Sequence, residues 1–363
     1  QLYRGEVKLY LSCCRNAIAD IKSKKTKNRQ IKMQKLVSVI IPCFNAERWI
    51  AETIDSCLKQ TYPHIEIIVI DDCSTDNSME IIKSYGDQII WERLTENKGG
   101  CYARNRGFEL SKGEYIQFLD ADDFILPEKI ERQINFLEKT GADAVYGDWR
   151  FQGHQSNGVV FLEQVEKSGK QADILQSLIE NWWTAVASLF YRRTAVEKSG
   201  GWDENFLAAQ DRDFFISVIM AGAKVVYQPG CYSIYRRYGN VTVSTISKQR
   251  WLENHCKVLE KVEQKLLQQY QQNIPINYRR ALADGYFELA RDYMYMDYPE
   301  YLRLSNKSLT LCPDFKRRTK RPIYKLVQDI CGFRLCEQFV RRLLLLKAFI
   351  DSKINPRISK YHS

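Results

Sequence analysis

The chain has 363 residues, of which 45% are hydrophobic and 12% aromatic, and its formal net charge is +10 at pH 7. These values are typical of a folded globular protein and exclude an intrinsically disordered chain. No apolar run reaches the roughly 18–20 residues that cross a bilayer, and no secretory signal opens the sequence, so a cytoplasmic location is predicted.

The positive charge is concentrated at the two ends of the chain. Residues 1–35 carry a net charge of +8 and residues 316–363 carry +10, which leaves −8 for the middle. Basic ends around an acidic middle indicate that the ends meet an anionic surface, rather than that the core binds nucleic acid. Met33 lies just before the first predicted strand. A separate hypothesis is that translation starts at Met33, which would leave residues 1–32 outside the native protein.

From residue 36 to about residue 243, short β-rich runs alternate with helical patterns, which favours a mainly parallel α/β sheet. Three of these runs end in acidic or turn-forming residues. The run 37–42 leads into residues 43–45, the run 65–70 into residues 71–76, and the run 115–119 into residues 120–123. Because ligands of open α/β sheets bind outside the carboxyl ends of the strands, these residues mark the predicted ligand site.

The remaining elements follow in the same alternation. Further strands are predicted at 88–93, 144–151, 189–192 and 224–227. Helices are predicted at 102–110, 127–139 and 211–221, and beyond residue 247 at 251–272, 278–296 and 301–311. We therefore predict a basic tail at 1–35, an α/β domain at 36–243, and a helical region at 244–363 that is basic and amphipathic at its end.

Asp120, Asp122 and Asp123 form the sharpest local signal. Two carboxylates two residues apart in an extended stretch point the same way, and hard oxygen ligands suit Mg²⁺ or Mn²⁺. The alternative is an acidic capping turn before the helix that begins near Pro127, because acidic residues are common at helix entries. Asp72, at the end of another strand, can accept from a base N–H or a ribose hydroxyl, and it can also form an Asx turn.

Basic and acidic residues further along the chain add to this pattern. Lys98 and Arg104 lie in a glycine-containing loop that opens a helix, where they could offset diphosphate charge. Asp211 begins an apolar helix, where a carboxylate can cap the helix, and it can also serve as a general base. Arg236 and Arg237 follow a predicted strand and could clamp phosphate or simply be solvated.

Six segments, in order, carry a resemblance to a known family: 38–45, 70–78, 97–107, 118–123, 190–204 and 210–211. Over residues 36 to about 243 the chain resembles family 2 glycosyltransferases of the GT-A fold. The resemblance implies a Rossmann-like sheet flanked by helices. It also implies an inverting, metal-dependent enzyme that moves a sugar from a nucleotide-diphosphate sugar to a saccharide or lipid-linked acceptor, in cell-surface polysaccharide or glycolipid synthesis.

The same resemblance implies roles for individual residues. Asp122 would hold Mn²⁺ or Mg²⁺ and Asp211 would be the catalytic base. The implied nucleotide-sugar-binding residues are Pro42, Phe44, Asn45, Asp72, Lys98, Arg104, Asp120 and Ala121. Of these, Pro42, Phe44 and Asp72 would line the base pocket and Asp120 would approach the ribose. Two features depart from the family pattern: Asp123 follows the metal motif, so the ligand could shift by one residue, and Gln210 stands where many members have Glu.

Two tryptophans are assigned to the acceptor side, Trp183 and Trp202. Trp182 and Trp183 fall where the family builds this side, and we expect one of the pair in the core and the other against the acceptor. The segment 333–350 alternates basic and apolar residues, which favours either a surface for anionic lipid, on the inner face of the membrane, or a helix packed on the catalytic domain.

Two rival functions belong to other classes. A catalytically inactive GT-A protein would bind a sugar nucleotide or a membrane without turnover, but the chain retains Asp122 and Asp211. A nucleic-acid-binding module would use the basic ends, but it lacks stacking aromatics interleaved on a basic core, so we expect no nucleic-acid partner.

Overall fold

The structure is a computed structural model that describes residues 35–154, 159–238, 247–317 and 322–354. The predicted basic tail up to residue 34, including Met33, lies outside the described residues. The strands are β1 (Val37–Cys43), β2 (Ile65–Asp71), β3 (Ile90–Arg93), β4 (Tyr115–Phe118), β5 (Phe124–Ile125), β6 (Ala144–His154), β7 (Val160–Glu166), β8 (Leu189–Arg192) and β9 (Val225–Arg237).

Helices lie between and after these strands. They are α1 (Ile50–Leu58), α2 (Ser78–Ser84), α3 (Gly100–Leu110), α4 (Lys129–Thr140), α5 (Ile174–Ile179), α6 (Arg193–Ser199), α7 (Gln210–Met220), α8 (Lys248–Gln269), α9 (Ile276–Tyr293), α10 (Tyr298–Leu311) and α11 (Pro322–Ile354). Gly332 interrupts α11 with φ 77° and ψ 166°, which divides it into two helical segments. Within the described ranges, none of the helices combines the length and the apolar character that a membrane crossing needs.

The strands form one sheet in the order β3-β2-β1-β4-β8-β6-β9-β5, with β7 paired to β6. The neighbours β3-β2, β2-β1 and β1-β4 are parallel, as is β6-β9, whereas β4-β8, β8-β6, β9-β5 and β6-β7 are antiparallel. The predicted α/β class, with a central sheet flanked by helices and a helical C-terminal region, is confirmed. The parallel arrangement covers the first half of the sheet, and the sheet as a whole is mixed.

Helices cover both faces of β1 and β2, which explains their nearly continuous apolar runs. On one face, Val39 and Ile41 of β1 are in the same buried cluster as Ile54 of α1. On the other face, Ile70 of β2 packs with Ala103 of α3. Gly107 allows α3 to lie this close, because a Cβ there would come within 2.4 Å of the Ile40 side chain.

Several elements were not predicted from the sequence. They are β5, β7, α5 and α6, and β9 continues to Arg237 although a strand was predicted only to residue 227. β5 has two residues and exists because it pairs with β9, so no local periodicity could indicate it. β7 is an exposed strand paired to β6, and its residues lack the alternation that marks a half-buried strand.

Two compact units divide the chain. The first contains the described residues up to 172 together with those from 183 to 238, and the second contains 173–182 and the described residues from 247 onward. The predicted boundary at 243 falls outside the described residues. Segment 173–182 belongs with the later helices because Asp173 accepts a hydrogen bond from the Tyr278 hydroxyl at 2.9 Å and α5 buries Leu175 and Leu178.

Candidate functional site

The loops after β1 and β2 are tied to each other at the carboxyl edge of the sheet. The Asn45 N–H donates to Ser74 Oγ at 3.0 Å, and Asn45 Oδ1 accepts from the Thr75 N–H at 2.8 Å. Asn45 itself adopts a left-handed backbone, with φ 49°, a conformation that Asn tolerates better than most residues. Beside it, Pro42 is half-buried and the Phe44 ring is exposed, which leaves an aromatic face available to a ligand at this edge.

Asp72 orders the glycine-containing loop that precedes α3. One carboxylate oxygen accepts from the Lys98 N–H at 2.7 Å and the other accepts from the Gly99 N–H at 2.8 Å. Burial raises the pKa of Asp72, and these two N–H groups oppose that rise. The Lys98 side chain is exposed and lies over the Tyr102 ring, 4.6 Å from its centroid. The predicted base-pocket carboxylate and the predicted phosphate-binding loop are thus joined directly.

The acidic turn after β4 is held from α1. Thr53 of α1 donates its hydroxyl to the backbone oxygens of Ala121 and Asp123, at 2.8 and 2.7 Å. Within the turn, the Asp123 N–H donates to the Asp120 carbonyl at 3.0 Å. The predicted donor-binding residue Ala121 is itself buried, so its contribution to the site is its backbone.

The same turn is held a second time from β9. The Arg236 guanidinium donates to the Asp122 carbonyl at 2.8 Å, and the Arg236 N–H donates to Asp123 Oδ1 at 3.0 Å. The Tyr238 hydroxyl donates to Asp122 Oδ2, also at 2.8 Å. The Arg236 side chain is fully buried and pairs with Glu52. Of the two alternatives for Arg236, phosphate clamp or solvated surface, the structure favours neither, because Arg236 supports the acidic turn.

The carboxylates of this turn carry more negative charge than their surroundings compensate. Burial raises the pKa of Asp122, and the nearby Asp120 raises it further. Burial also raises the pKa of Asp123 well above the ordinary value, with Asp122 and Asp120 adding to the effect. Asp123 Oδ2 is buried without a hydrogen-bond partner. A cation or a hydrogen-bond donor from a ligand would relieve this charge.

Arg104 joins the acidic turn to the helix that carries Asp211. Its guanidinium pairs with Asp120 Oδ1 at 2.6 Å and donates to Gln210 Oε1 at 3.2 Å. Gly100 makes room for this arrangement, because a Cβ there would lie 3.0 Å from Arg104 Nη1 and 3.4 Å from Gln210 Oε1. Arg104 is buried, and its Nε has no hydrogen-bond partner. The contacts with Asp120 and Gln210 therefore position its guanidinium without a phosphate.

Trp202 does not occupy the position that was predicted for it on the acceptor side. It is 3% exposed, its ring stacks on Phe214 at 4.2 Å between centroids, and the Arg104 guanidinium lies 4.4 Å from its centroid. An indole buried between an aromatic ring and a cation has no free face for a sugar. Trp202 instead supports Arg104 from the core.

Asp211 lies in the first turn of α7. This helix begins directly after Ala209, whose backbone is left-handed with φ 55°. Burial raises the pKa of Asp211 and Asp120 contributes to the rise, whereas the Arg212 N–H and the Arg104 guanidinium lower it. Asp211, Asp120 and Arg104 therefore share one electrostatic environment. A half-buried carboxylate with a raised pKa is a stronger base than an exposed one, which is the property that proton abstraction needs.

Trp183 lies at the edge of this environment. Its ring is exposed and contacts Trp149 at 4.6 Å and Tyr235 at 6.3 Å between centroids. Tyr235 lies beside the acidic cluster, since burial raises its pKa and the nearby carboxylates, chiefly Asp123 and Asp120, add to that rise. Trp183 thus offers an exposed aromatic face beside Tyr235.

The structure brings most of the predicted site residues to one edge of the sheet and adds others. Thr53, Arg236, Tyr238 and Tyr235 were not predicted as site residues. Local sequence gave little signal for Thr53, which is one β-branched residue in a helix. Arg236 had a signal, since a basic pair after a strand was noted, but its burial depends on how β9 pairs with β6.

Comparison with known proteins finds a similarity to one family over part of the chain. Residues 38–200 match the model of glycosyl transferase family 2. An uncharacterized glycosyltransferase of Haemophilus influenzae is 38% identical over 155 residues, which cover 40% of this chain and 62% of that protein. The chain therefore spans less than two thirds of that relative's length. A putative teichuronic acid biosynthesis glycosyltransferase of Bacillus subtilis, TuaG, is 29% identical over 220 residues, 60% of this chain and 83% of that protein.

The fold is shared with a crystal structure of residues 1–349 of S. aureus TarS in complex with UDP-GlcNAc. The TM-score is 0.63 with 21% sequence identity, over 85% of this chain and 92% of that one. This likeness supports the GT-A type of the sheet described above.

Proposed function

We propose that the chain is an inverting glycosyltransferase that moves a sugar from a nucleotide-diphosphate sugar to a saccharide or lipid-linked acceptor. The observation that supports this most strongly is the position of Arg104, which pairs with Asp120 and bonds Gln210, the residue before Asp211, at the carboxyl edge of parallel strands. Phe44, Asp72 and Lys98 lie on the loops at the same edge and would contact the nucleotide. The match of residues 38–200 to the family 2 model supports the reaction class.

The proposed transfer is a single displacement in which Asp211 acts as the base. Its carboxylate accepts the proton of an acceptor hydroxyl while that oxygen forms a bond to the anomeric carbon. The bond from the anomeric carbon to the diphosphate oxygen breaks on the opposite side, and its electron pair leaves with the nucleotide diphosphate. One displacement inverts the anomeric centre, so a single base is enough.

The pH dependence of the transfer rate tests the role of Arg104. Asp211 must be deprotonated to act, so activity should fall as the pH drops through its raised pKa. Arg104→Met removes a cation that lowers this pKa, so the acid limb of the kcat profile should move to higher pH. Arg106→Met is the matched control, because Arg106 lies on the same helix but pairs with Glu92 and Glu109. An acid limb that stays in place in Arg104→Met would contradict the proposal.

Asp122 would hold a divalent cation, Mn²⁺ or Mg²⁺. The raised pKa of Asp122 and the unpartnered Asp123 Oδ2 fit a cation at this turn, and oxygen ligands suit either ion. Bound there, the cation would neutralise charge that develops on the departing diphosphate. No group of three or more His, Cys, Asp or Glu side chains in the described ranges forms a complete metal cage, so donor phosphates would supply further ligands.

Arg236 is expected to hold the acidic turn in the geometry that binds the cation. Arg236→Met removes the hydrogen bond to the Asp122 carbonyl and should cost about 1.5–3 kcal/mol in the free energy of unfolding. It should also weaken Mn²⁺ binding, measured by electron paramagnetic resonance. Arg192→Met is the control: Arg192 pairs with Glu138, remote from the turn, so its loss should lower stability without changing Mn²⁺ affinity. Equal Mn²⁺ affinities in the two variants would refute this role.

The acceptor would belong to a cell-surface polysaccharide or glycolipid, and the enzyme would work in the cytoplasm, peripheral to the inner face of the membrane. The name of TuaG supports a role in cell-wall polysaccharide synthesis, and the UDP-GlcNAc in the TarS complex supports a nucleotide-sugar donor. Trp183 would stack on the acceptor.

A donor panel tests the proposal as a whole. The purified chain is mixed with UDP-, GDP- and dTDP-sugars, with and without Mn²⁺, and binding and donor hydrolysis are measured. We expect one donor to bind and turn over in the presence of metal. Binding without turnover would favour the inactive GT-A alternative, and RNA binding without sugar-nucleotide binding would favour the nucleic-acid module.

A further inference from the structure

The last helical region exposes a row of large apolar side chains. Six of them are between 49% and 77% exposed: Ile323, Leu326, Ile330, Leu335, Phe339 and Leu343. The first three lie before the interruption of α11 at Gly332 and the last three lie after it. We call these six residues the apolar stripe. Scattered exposed apolar residues are ordinary, but several on one face of a helical segment mark a surface that contacts something else.

Helical spacing places the stripe on one side of each segment. Residues 323, 326 and 330 are three and four apart, and residues 335, 339 and 343 are four apart, so each triplet shares a face. Other faces of the same segments are buried, since Tyr324, Gln328, Cys336 and Glu337 are each less than 10% exposed. The segments are therefore packed on one side, and the stripe lies among the residues that they leave exposed.

The charges around the stripe are predominantly basic. Lys325 and Arg342 are exposed beside it. Two acids of these segments are neutralised, because Asp329 pairs with Lys316 at 2.6 Å and the buried Glu337 pairs with Arg291 at 3.1 Å. The sequence from 316 to 363 carries a net charge of +10. An apolar row edged by Lys and Arg suits a surface that offers both hydrocarbon and negative charge.

We propose that the apolar stripe docks the chain onto an anionic lipid surface, with the six apolar side chains at the acyl boundary and Lys325 and Arg342 among the head groups. A second copy of the chain is the less favourable occupant, because it would bring two segments of charge +10 against each other. The proposal names the residues of the peripheral contact and goes beyond the transfer reaction. Docking requires neither donor nor metal, so it can fail or succeed independently of the proposed activity.

Vesicle flotation of the full chain tests the docking. Vesicles of phosphatidylcholine, with or without phosphatidylglycerol, are floated with the wild type and with a variant in which all six stripe residues are serine. We expect the wild type to float with the anionic vesicles, less so as salt increases, and the variant to lose on the order of tenfold or more in partitioning. Arg342→Gln should lose about fivefold, as expected for one basic residue at an anionic surface.

A matched control separates the stripe from general surface hydrophobicity. Tyr295, Met296 and Leu302 are comparably exposed in the same unit but outside the stripe, and their joint replacement by serine should leave flotation unchanged. If the six-residue variant unfolds at a lower temperature than the wild type, the single substitution Ile323→Ser, at the most exposed position of the stripe, should still reduce flotation.

Three results would overturn the proposal. The first is that the wild type does not bind anionic vesicles, and the second is that the stripe variant floats as well as the wild type. The third is that the wild type does not bind vesicles but sediments as a dimer, and that the stripe substitutions dissociate this dimer.

Discussion

Asp211→Asn should keep donor binding and lose transfer. The substitution preserves the size of the side chain but removes its capacity to accept a proton, and a positioned general base typically contributes about 10²–10⁴-fold to rate. We therefore expect kcat to fall by that factor while the donor dissociation constant, measured by calorimetry, stays close to the wild-type value. Phe44, Asp72 and Lys98, which are proposed to contact the nucleotide, lie on the loops after β1, β2 and β3, and the substitution changes none of them.

Asp203→Asn is the control for this experiment. Asp203 lies in the loop just before α7 and accepts from the Asn205 N–H at 3.1 Å, a contact that an asparagine oxygen can also make. It should therefore retain transfer. If Asp211→Asn retains wild-type kcat, Asp211 is not the base, and Asp213 of the same helical turn becomes the next carboxylate to test.

Asp122→Ala should abolish the part of donor binding that depends on metal. A bound cation typically contributes several kcal/mol to stabilising the charge of a transition state, so transfer should fall by about 10²-fold or more. The measurement is donor affinity titrated with and without Mn²⁺, in which the wild type gains affinity from the metal and the variant does not. Glu80→Ala, which removes an exposed carboxylate paired with Lys83, should behave as the wild type.

Asp122→Asn distinguishes loss of the metal from loss of the fold. The asparagine oxygen still accepts from the Tyr238 hydroxyl, but the charge is gone. Because the pKa of Asp122 is raised in the folded state, its protonated carboxyl group favours folding below the ordinary Asp pKa, and this contribution is lost as the pH rises through the raised value. The variant should therefore be at least as stable as the wild type at neutral pH, and this relative gain should shrink as the pH falls. A variant that is less stable at neutral pH would show that the charge supports the fold.

The predictable part of the molecule is the part with local periodicity. The buried runs of β1, β2 and β4 and the helical faces of α8, α9 and α10 were placed within a few residues, because a period of 2 or 3.6 shows in the sequence itself. Short elements such as β5 were missed because they exist only through a partner strand. Segment 173–182 was read with the α/β domain because no nearby residue indicates that it packs on helices a hundred residues later.

For the site, the sequence alone determined which residue types stand at the ends of which strands: Asp72 after β2, the acidic turn after β4, and Asp211 at the start of an apolar helix. Only the tertiary structure decided what faces them. It placed Arg104 between Asp120 and Gln210, buried Trp202 beneath that arginine, and turned Arg236 inward to hold the acidic turn. The physical reason is that backbone periodicity fixes the side to which a residue points, whereas the groups it meets there come from strands and helices paired across distant parts of the chain.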